Sequence, residues 1–227
     1  MAYNFARTDN TTGQYINCGS AAALNPQNNM SVAFWVYPTS SAVNQTAHMY
    51  VTRDGGPNSR CYNIFRQAYT GTSDTFGVEL FKNNTTATSI FSTTVGNSNT
   101  WYHLCFTYKF VTDGTSELRL YVNGLEDASS VTAVGSINQQ TANVEIGRRT
   151  YSGFQFPANA RIAEVAIYNT TLTAAEVASL ADGMTPDKVS PQGLVLYAPL
   201  VRDLIDLKGN TLTNNSATVI QHPRIYA

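Results

Sequence analysis

The residues of this chain best suited to chemistry are acids, arginines and aromatics, and they are thinly spread. Charged residues make up 13% of the 227 positions, and the formal net charge is −1. The acids that fall in strand-like segments stand alone: Glu79, Glu117, Glu145 and Glu164. Glu126 and Asp127 are adjacent, so in a strand they face opposite sides. Glycosidic cleavage with retention needs two carboxylates about 5 Å apart, and no such pair is legible. The histidines His48, His103 and His222 are widely spaced, with no Ser/His/Asp arrangement around them. Cys18, Cys61 and Cys105 match no zinc spacing and are expected as buried thiols.

Binding chemistry is better represented. Two segments mix guanidinium donors with aromatic rings, the mixture that stacks on a sugar face and fixes its hydroxyls. Within 53–66 the candidates are Arg53, Asp54, Tyr62 and Arg66; within 148–156 they are Arg149, Tyr151 and Phe154. The alternative for the same side chains is that they cap the ends of a β-structure or make a protein contact. Glu164 sits in an otherwise apolar strand, where a buried carboxylate needs a partner. Arg161, Arg148 and Arg149 are the expected partners in a salt bridge.

The elements that must position these residues are strands. Residues 31–37 alternate, with Val32, Phe34 and Val36 on one face and Ala33, Trp35 and Tyr37 on the other. Further strands are predicted over 48–53, 61–67, 75–81, 88–94, 101–110, 117–122 and 144–148, with turns at Asn83-Asn84, Asp113-Gly114 and Asn123-Gly124. Strands without intervening helices predict an antiparallel sandwich or jelly roll. Residues 160–168 predict a central strand, apolar on both faces, with Ile162, Glu164, Ala166 and Tyr168 together on one of them. A single short helix follows: Thr173 and Glu176 form a capping box, Leu172 and Val177 a hydrophobic staple, and Gly183 ends it. Residues 184–192, with two prolines, predict a linker, and 193–200 a further strand. The tail to residue 227 carries Leu204, Ile205, Leu207 and Val219, which need somewhere to pack.

Four motifs in order resemble one family. They are Phe34-Trp35-Val36 with Pro38; Trp101-Tyr102-His103 followed by residues 118–124 (LRLYVNG); Ile146-Gly147; and residues 162–180. Together they resemble the laminin G-like group of concanavalin A-like lectin/glucanase sandwiches, over residues 1–183. The resemblance implies an all-β jelly roll of two antiparallel sheets. It also implies a route to metal, since calcium occurs in the family; Asp9, Asn10 and Glu164 are the oxygen donors it would use here. The glucanase branch carries its acids on one strand as E-x-D-x-E, a spacing absent from this sequence. Residues 194–210 resemble a segment that usually opens such domains, so the tail is expected to supply the lead-in strand, with the two chain ends close together. Tails of this kind, ending in residues 222–225 (HPRI), resemble those of bacteriophage and prophage structural proteins.

Composition limits the partners. No basic run points to nucleic acid or an anionic membrane, and no segment reaches transmembrane length. Residues 1–7 lack the apolar core of a secretory signal. The resulting expectation is a non-enzymatic surface protein of a tailed phage virion, made in the host cytoplasm. It would decorate the capsid or tail as a symmetric homo-oligomer, held by other virion proteins, with weak glycan binding. The alternatives are a cellular carbohydrate-binding lectin module and, third, a glycoside hydrolase.

Overall fold

The computed structural model describes residues 1–9, 11–40, 47–67, 74–112, 115–133, 135–151 and 153–221. Two antiparallel sheets face each other across an apolar core. The first contains β1 (Ala2–Phe5), β3 (Asn29–Pro38), β8 (Tyr102–Lys109), β9 (Ser116–Val122), β10 (Leu125–Ala133), β12 (Ala160–Tyr168) and β15 (Thr218–Ile220), in the order β10-β9-β8-β3-β12-β1-β15. Its remaining strand, β13 (Leu194–Ala198), pairs with the second half of β12, end to end with β1. The second sheet runs β14-β2-β11-β4-β5-β6-β7, from β14 (Thr213–Asn215), β2 (Tyr15–Asn17), β11 (Glu145–Ile146), β4 (Ala47–Asp54), β5 (Arg60–Gln67), β6 (Thr75–Phe81) and β7 (Ala87–Val95).

Alternation decides which side chains enter the core. Val32, Phe34 and Val36 point inward, as do Leu104, Phe106, Leu118 and Leu120, and all are buried. Each such side chain contributes about 1.5–3 kcal/mol by leaving water. Asn123 and Gly124 both hold positive φ, 51° and 81°, the type I′ turn that joins β9 to β10. The turn expected at Asp113-Gly114 lies outside the described residues, as does His222.

The alternation expected along β12 fails at one place. Ala163 pairs with Trp35 and Ala166 with Ala33, so three steps on β12 oppose two on β3. Glu164 sits in this bulge at φ 54°, left-handed backbone that non-glycine residues seldom enter. The extra residue resets the phase. Ile162, Val165 and Ile167 therefore face the main core together, while Ala166 and Tyr168 face the other way.

That outward face is covered by α1 (Ala174–Ala181). Thr173 and Glu176 complete the capping box, and Leu172 and Val177 lie in one apolar cluster. At the far end Met184 N–H donates to Ser179 at 3.0 Å and Gly183 N–H to Leu180 at 3.1 Å, with Gly183 at φ 99°. This is a Schellman stop. Val177 and Leu180 pack onto Ala33, Cys105 and Ala166, whose small side chains leave room for a helix. Residues 184–192 include a one-turn helix, α2 (Pro186–Val189), with Pro186 at its first turn and its carbonyl accepting from the Tyr168 hydroxyl at 3.2 Å.

The C-terminal segment closes one edge of each sheet. β14 pairs with β2 and β15 with β1, so Ala2 lies opposite Ile220. The three cysteines are free and buried, and burial pushes their thiols up. Among the described residues no helix is long and apolar enough to cross a membrane.

Candidate functional site

Among the described residues the outer face of the second sheet carries no helix of its own. Two cross-strand rows run over it. Thr52, Asn63, Glu79 and Ser89 are neighbours in one; Met49, Phe65, Gly77 and Phe91 are neighbours in the next. Period-two geometry places both rows on the same side. Gly77 is the low point of the apolar row. A Cβ there would lie 2.7 Å from the Phe65 ring and 3.1 Å from that of Phe91, and the two rings meet edge to face at 5.9 Å above it.

A loop from the far side of β11 completes the site. Met49 N–H donates to the Phe156 carbonyl at 2.9 Å, which lays Phe156 beside the apolar row. Phe156 holds φ 45° and stacks on the exposed Phe154 at 5.8 Å. Arg149 reaches between the two rows. Its guanidinium lies 4.7 Å from the Phe156 ring centre and 5.3 Å from that of Tyr151. It donates to the Phe154 carbonyl at 2.7 Å and sits 3.5 Å from Asp54. Burial pulls the Arg149 guanidinium below its ordinary value and Asp54 opposes the shift; an arginine so placed stays charged. Asn63 Nδ2 bridges the carboxylates of Asp54 and Glu79 at 2.9 and 3.1 Å. Tyr151 stands against the 55–59 turn, where Gly56 at φ 100° would place a Cβ 2.4 Å from its ring.

The result is a cleft of about 330 Å³ with Phe65, Phe91 and Phe156 as apolar walls and Gln67, Glu79, Ser89 and Arg149 as polar groups. It can hold a flat apolar face and hydrogen-bond its edge. A larger hollow of about 450 Å³ lies beside the start of α1, lined by Lys109, Arg119 and several threonines. Its aromatic residue, Tyr121, is buried, and Arg119 is taken up by Glu117 and Glu126 at 3.2 and 2.7 Å.

Four of the sequence candidates gather around Arg149, which alone among them lines the cleft: Tyr151 and the Phe154 carbonyl contact its guanidinium and Asp54 pairs with it. The other three go inward. Arg53 is 2% exposed and donates to the carbonyls of Ala21, Ser20 and Gln140 at 2.9–3.0 Å. Tyr62 is in the core with its hydroxyl on the Leu24 carbonyl. Arg66 is 1% exposed, paired with Asp74 and bonded to the Ser40 carbonyl. All three alternate into the sandwich, so none presents a surface to a ligand. Asp54 itself is buried, accepting from Gly56 N–H and Asn63.

The oxygen donors Asp9 and Glu164 are not brought together. Asp9 follows the Phe5 end of β1, whereas Glu164 lies past the opposite end of the same pairing, beyond Ile162, which faces Tyr3. The Asp9 carboxylate closes its own turn, accepting from Thr11 and Thr12, and these bonds hold its pKa down. Asn10 lies outside the described residues. Among the described residues no three His, Cys, Asp or Glu side chains cluster as metal ligands. These donors do not fit one calcium site. Nor does Glu164 take the expected arginine: Arg148 pairs with Glu145 at 2.8 Å, Arg149 with Asp54, and Arg161 lies over Tyr37. The Glu164 carboxylate instead accepts from the Tyr197 hydroxyl.

The cleft residues missed from sequence are Phe65, Glu79, Phe91 and Phe156. A phenylalanine between outward-facing polar residues, as in Asn63-Ile64-Phe65-Arg66-Gln67, was the available signal, and so was Gly77 in mid-strand.

A family profile for the concanavalin A-like lectin/glucanases superfamily matches residues 10–178. The chain belongs to this superfamily. Among solved structures it is similar to a native heptameric SAP-like pentraxin from Limulus polyphemus, with TM-score 0.67, 13% identity, and coverage of 96% of this chain and 94% of that one. It is also similar to a protein assigned as carbohydrate-binding from Bacteroides ovatus, with TM-score 0.69, 18% identity, and 96% and 58% coverage. The third is botulinum neurotoxin type C, which interacts with two ganglioside molecules: TM-score 0.56, 13% identity, 79% and 42% coverage. The chain thus spans only part of the latter two. At these identities the likeness is one of fold, a lectin-like sandwich. No curated protein matches the chain in sequence.

Proposed function

We propose that the protein is a non-enzymatic carbohydrate-binding module that holds a glycan in the cleft on the outer face of its second sheet. The observation that carries this is the row Phe65–Gly77–Phe91 beside the polar row Asn63–Glu79–Ser89, with Arg149 and Phe156 closing over them. Rings take the apolar face of a sugar; Glu79 and Arg149 take its hydroxyls. Hydrolysis is not supported, because it needs two carboxylates at the substrate. Asp54, the neighbour of Glu79, is buried and committed to Gly56, Asn63 and Arg149. The ligands of similar structures, carbohydrate and ganglioside, favour the same reading. A glycan array followed by calorimetric titration of the best binder tests it. Phe91→Ala should weaken binding roughly tenfold without changing the melting temperature by more than a few degrees. Equal affinity in Phe91→Ala and Arg149→Ala would sink the cleft as the site.

The setting belongs to the same proposal: the surface of a tailed phage virion, held by capsid or tail proteins. Its support is the resemblance of the tail, which ends in residues 222–225 (HPRI), to those of bacteriophage structural proteins. Antibody labelling of source virions tests it, and unlabelled particles would overturn it.

A further inference from the structure

Glu164 lies on the opposite side of the molecule from the cleft, on the outer face of the first sheet. Its bulged, left-handed backbone aims the side chain outward instead of into the core. Backbone of this kind persists only where the surroundings enforce it. The carboxylate lines a small hollow with Trp35, His103, Leu180 and Met184. The hollow is about 10 Å³, room for one water-sized group. His103 is 2% exposed, and among the described residues its Nδ1 has no hydrogen-bond partner. A buried polar atom in that condition calls for an explanation, and a visiting group is one.

Beside the hollow lies a bank of aromatic rings that α1 leaves uncovered. Pairing sets Arg161 beside Tyr37, and Ala163, Trp35 and His103 along the next cross-strand row, with Trp101 just before the start of β8. Tyr37 and Trp101 rings meet at 5.4 Å, Trp35 and His103 at 5.3 Å, and the Arg161 guanidinium lies 4.8 Å from the Tyr37 ring centre. Trp35, Tyr37 and Trp101 are all half-buried. These are the chain's two tryptophans.

We propose that this face is a second binding platform, on which a neutral sugar ring stacks against Trp35, Tyr37 and Trp101 and directs a hydroxyl into the Glu164–His103 hollow. The arrangement selects the ligand class. Arg161 already supplies a cation to the Tyr37 ring, so an ammonium ligand would meet a like charge. An anionic ligand would meet the Glu164 carboxylate. A neutral sugar meets neither penalty, and it brings both an apolar face for the rings and hydroxyls for the acceptor. The platform is separate from the cleft and stands whether or not the cleft binds, so one domain presents glycan sites on two faces. Two such sites raise avidity on a dense glycan surface.

The tryptophans make the test site-specific, because none lies in the cleft. The intact protein is screened on an array of neutral and acidic glycans, as wild type and as Arg149→Ala. Soluble forms of the neutral binders are then titrated with tryptophan emission as readout. The expected result is a neutral glycan retained by Arg149→Ala that shifts the emission. Trp35→Ala and Glu164→Gln should weaken it roughly tenfold, and Trp35→Phe, which keeps a ring, should restore most of it. Thermal melting confirms that each variant folds. Neutral glycans that bind without moving the emission, or binding lost entirely in Arg149→Ala, would overturn the platform and leave the cleft. An emission shift that survives Arg149→Ala while Phe91→Ala also binds normally would support the platform and remove the cleft. A silent array would overturn both. A dimer in sedimentation that Trp101→Ala dissociates would give the face to a second copy and overturn the sugar assignment.

Discussion

The two sheets turn very different outer faces away from the shared core. The first sheet carries Ala33, Cys105 and Ala166 at mid-strand, and α1 seats Val177 and Leu180 on them. The second carries Phe65 and Phe91 around Gly77, and its polar row is bonded within itself, Asn63 to Asp54 and Glu79, Ser89 to Glu79. A face meant to be covered is built of small residues that let a helix approach. A face left open satisfies its own polar groups and keeps its large rings where water reaches them, Phe91 at 39% exposure. The contrast is one of cover: α1 occupies the Ala33, Cys105 and Ala166 part of one outer face, and the other holds a cleft.

Breaking the open face at its foundation should have the largest effect. Asp54→Ala leaves Arg149, Asn63 and Gly56 without a shared buried acceptor. We expect a loss of about 3–5 kcal/mol and of glycan binding, read by denaturant unfolding and calorimetry. Leu180→Ala attacks the covered face instead. A loss of about 2–5 kcal/mol with cleft affinity unchanged would uphold the division; a parallel loss of affinity would show the faces to be coupled. Thr173→Ala removes the cap of α1 and should cost about 1 kcal/mol, again leaving the cleft intact.

The smallest effect is a matter of sign. Burial raises the Glu164 pKa above its usual 4.5, against the Tyr197 hydrogen bond, which lowers it. A carboxyl raised on folding stabilises the fold only below its unfolded pKa, and that contribution is lost as pH rises through the folded value. Glu164→Gln should therefore melt higher than wild type at pH 7, with the gap closing below about pH 4.5. His48 and His103 act oppositely. Burial lowers both to about 3, so the stability of their neutral forms is present above pH 6.5 and lost as pH falls toward 3. His103→Gln should flatten the acid limb of a melting-temperature profile, and an unchanged limb would refute the assignment.

Much of this was legible because it is local. The strands with strict alternation, the Asn123-Gly124 turn and the Thr173–Glu176 capping box depend on near neighbours in sequence, and each stands where the pattern placed it. The site was half legible. Asp54 and Arg149 are 95 residues apart in sequence and meet only because the loop beyond β11 folds back over β4. Arg53 and Arg66 misled because charged residues are seldom fully buried, and Tyr62 because tyrosine is intermediate and sits in core or surface alike. Here six guanidinium and hydroxyl contacts to carbonyls and Asp74 offset that cost. The one-residue bulge at Glu164 leaves no trace in composition, yet it inverts every assignment of faces before or after it.

The sequence by itself determined that this chain folds as an antiparallel sandwich with one docked helix. Hydrophobic period and turn chemistry are properties of short windows, and they agree along the chain. Tertiary structure decided the rest. Register across β4–β7 set Phe65, Gly77 and Phe91 in one row, and the bulge in β12 turned Glu164 out beside Trp35. A binding surface is made of residues distant in sequence, so only the pairing of strands could say which of them share it.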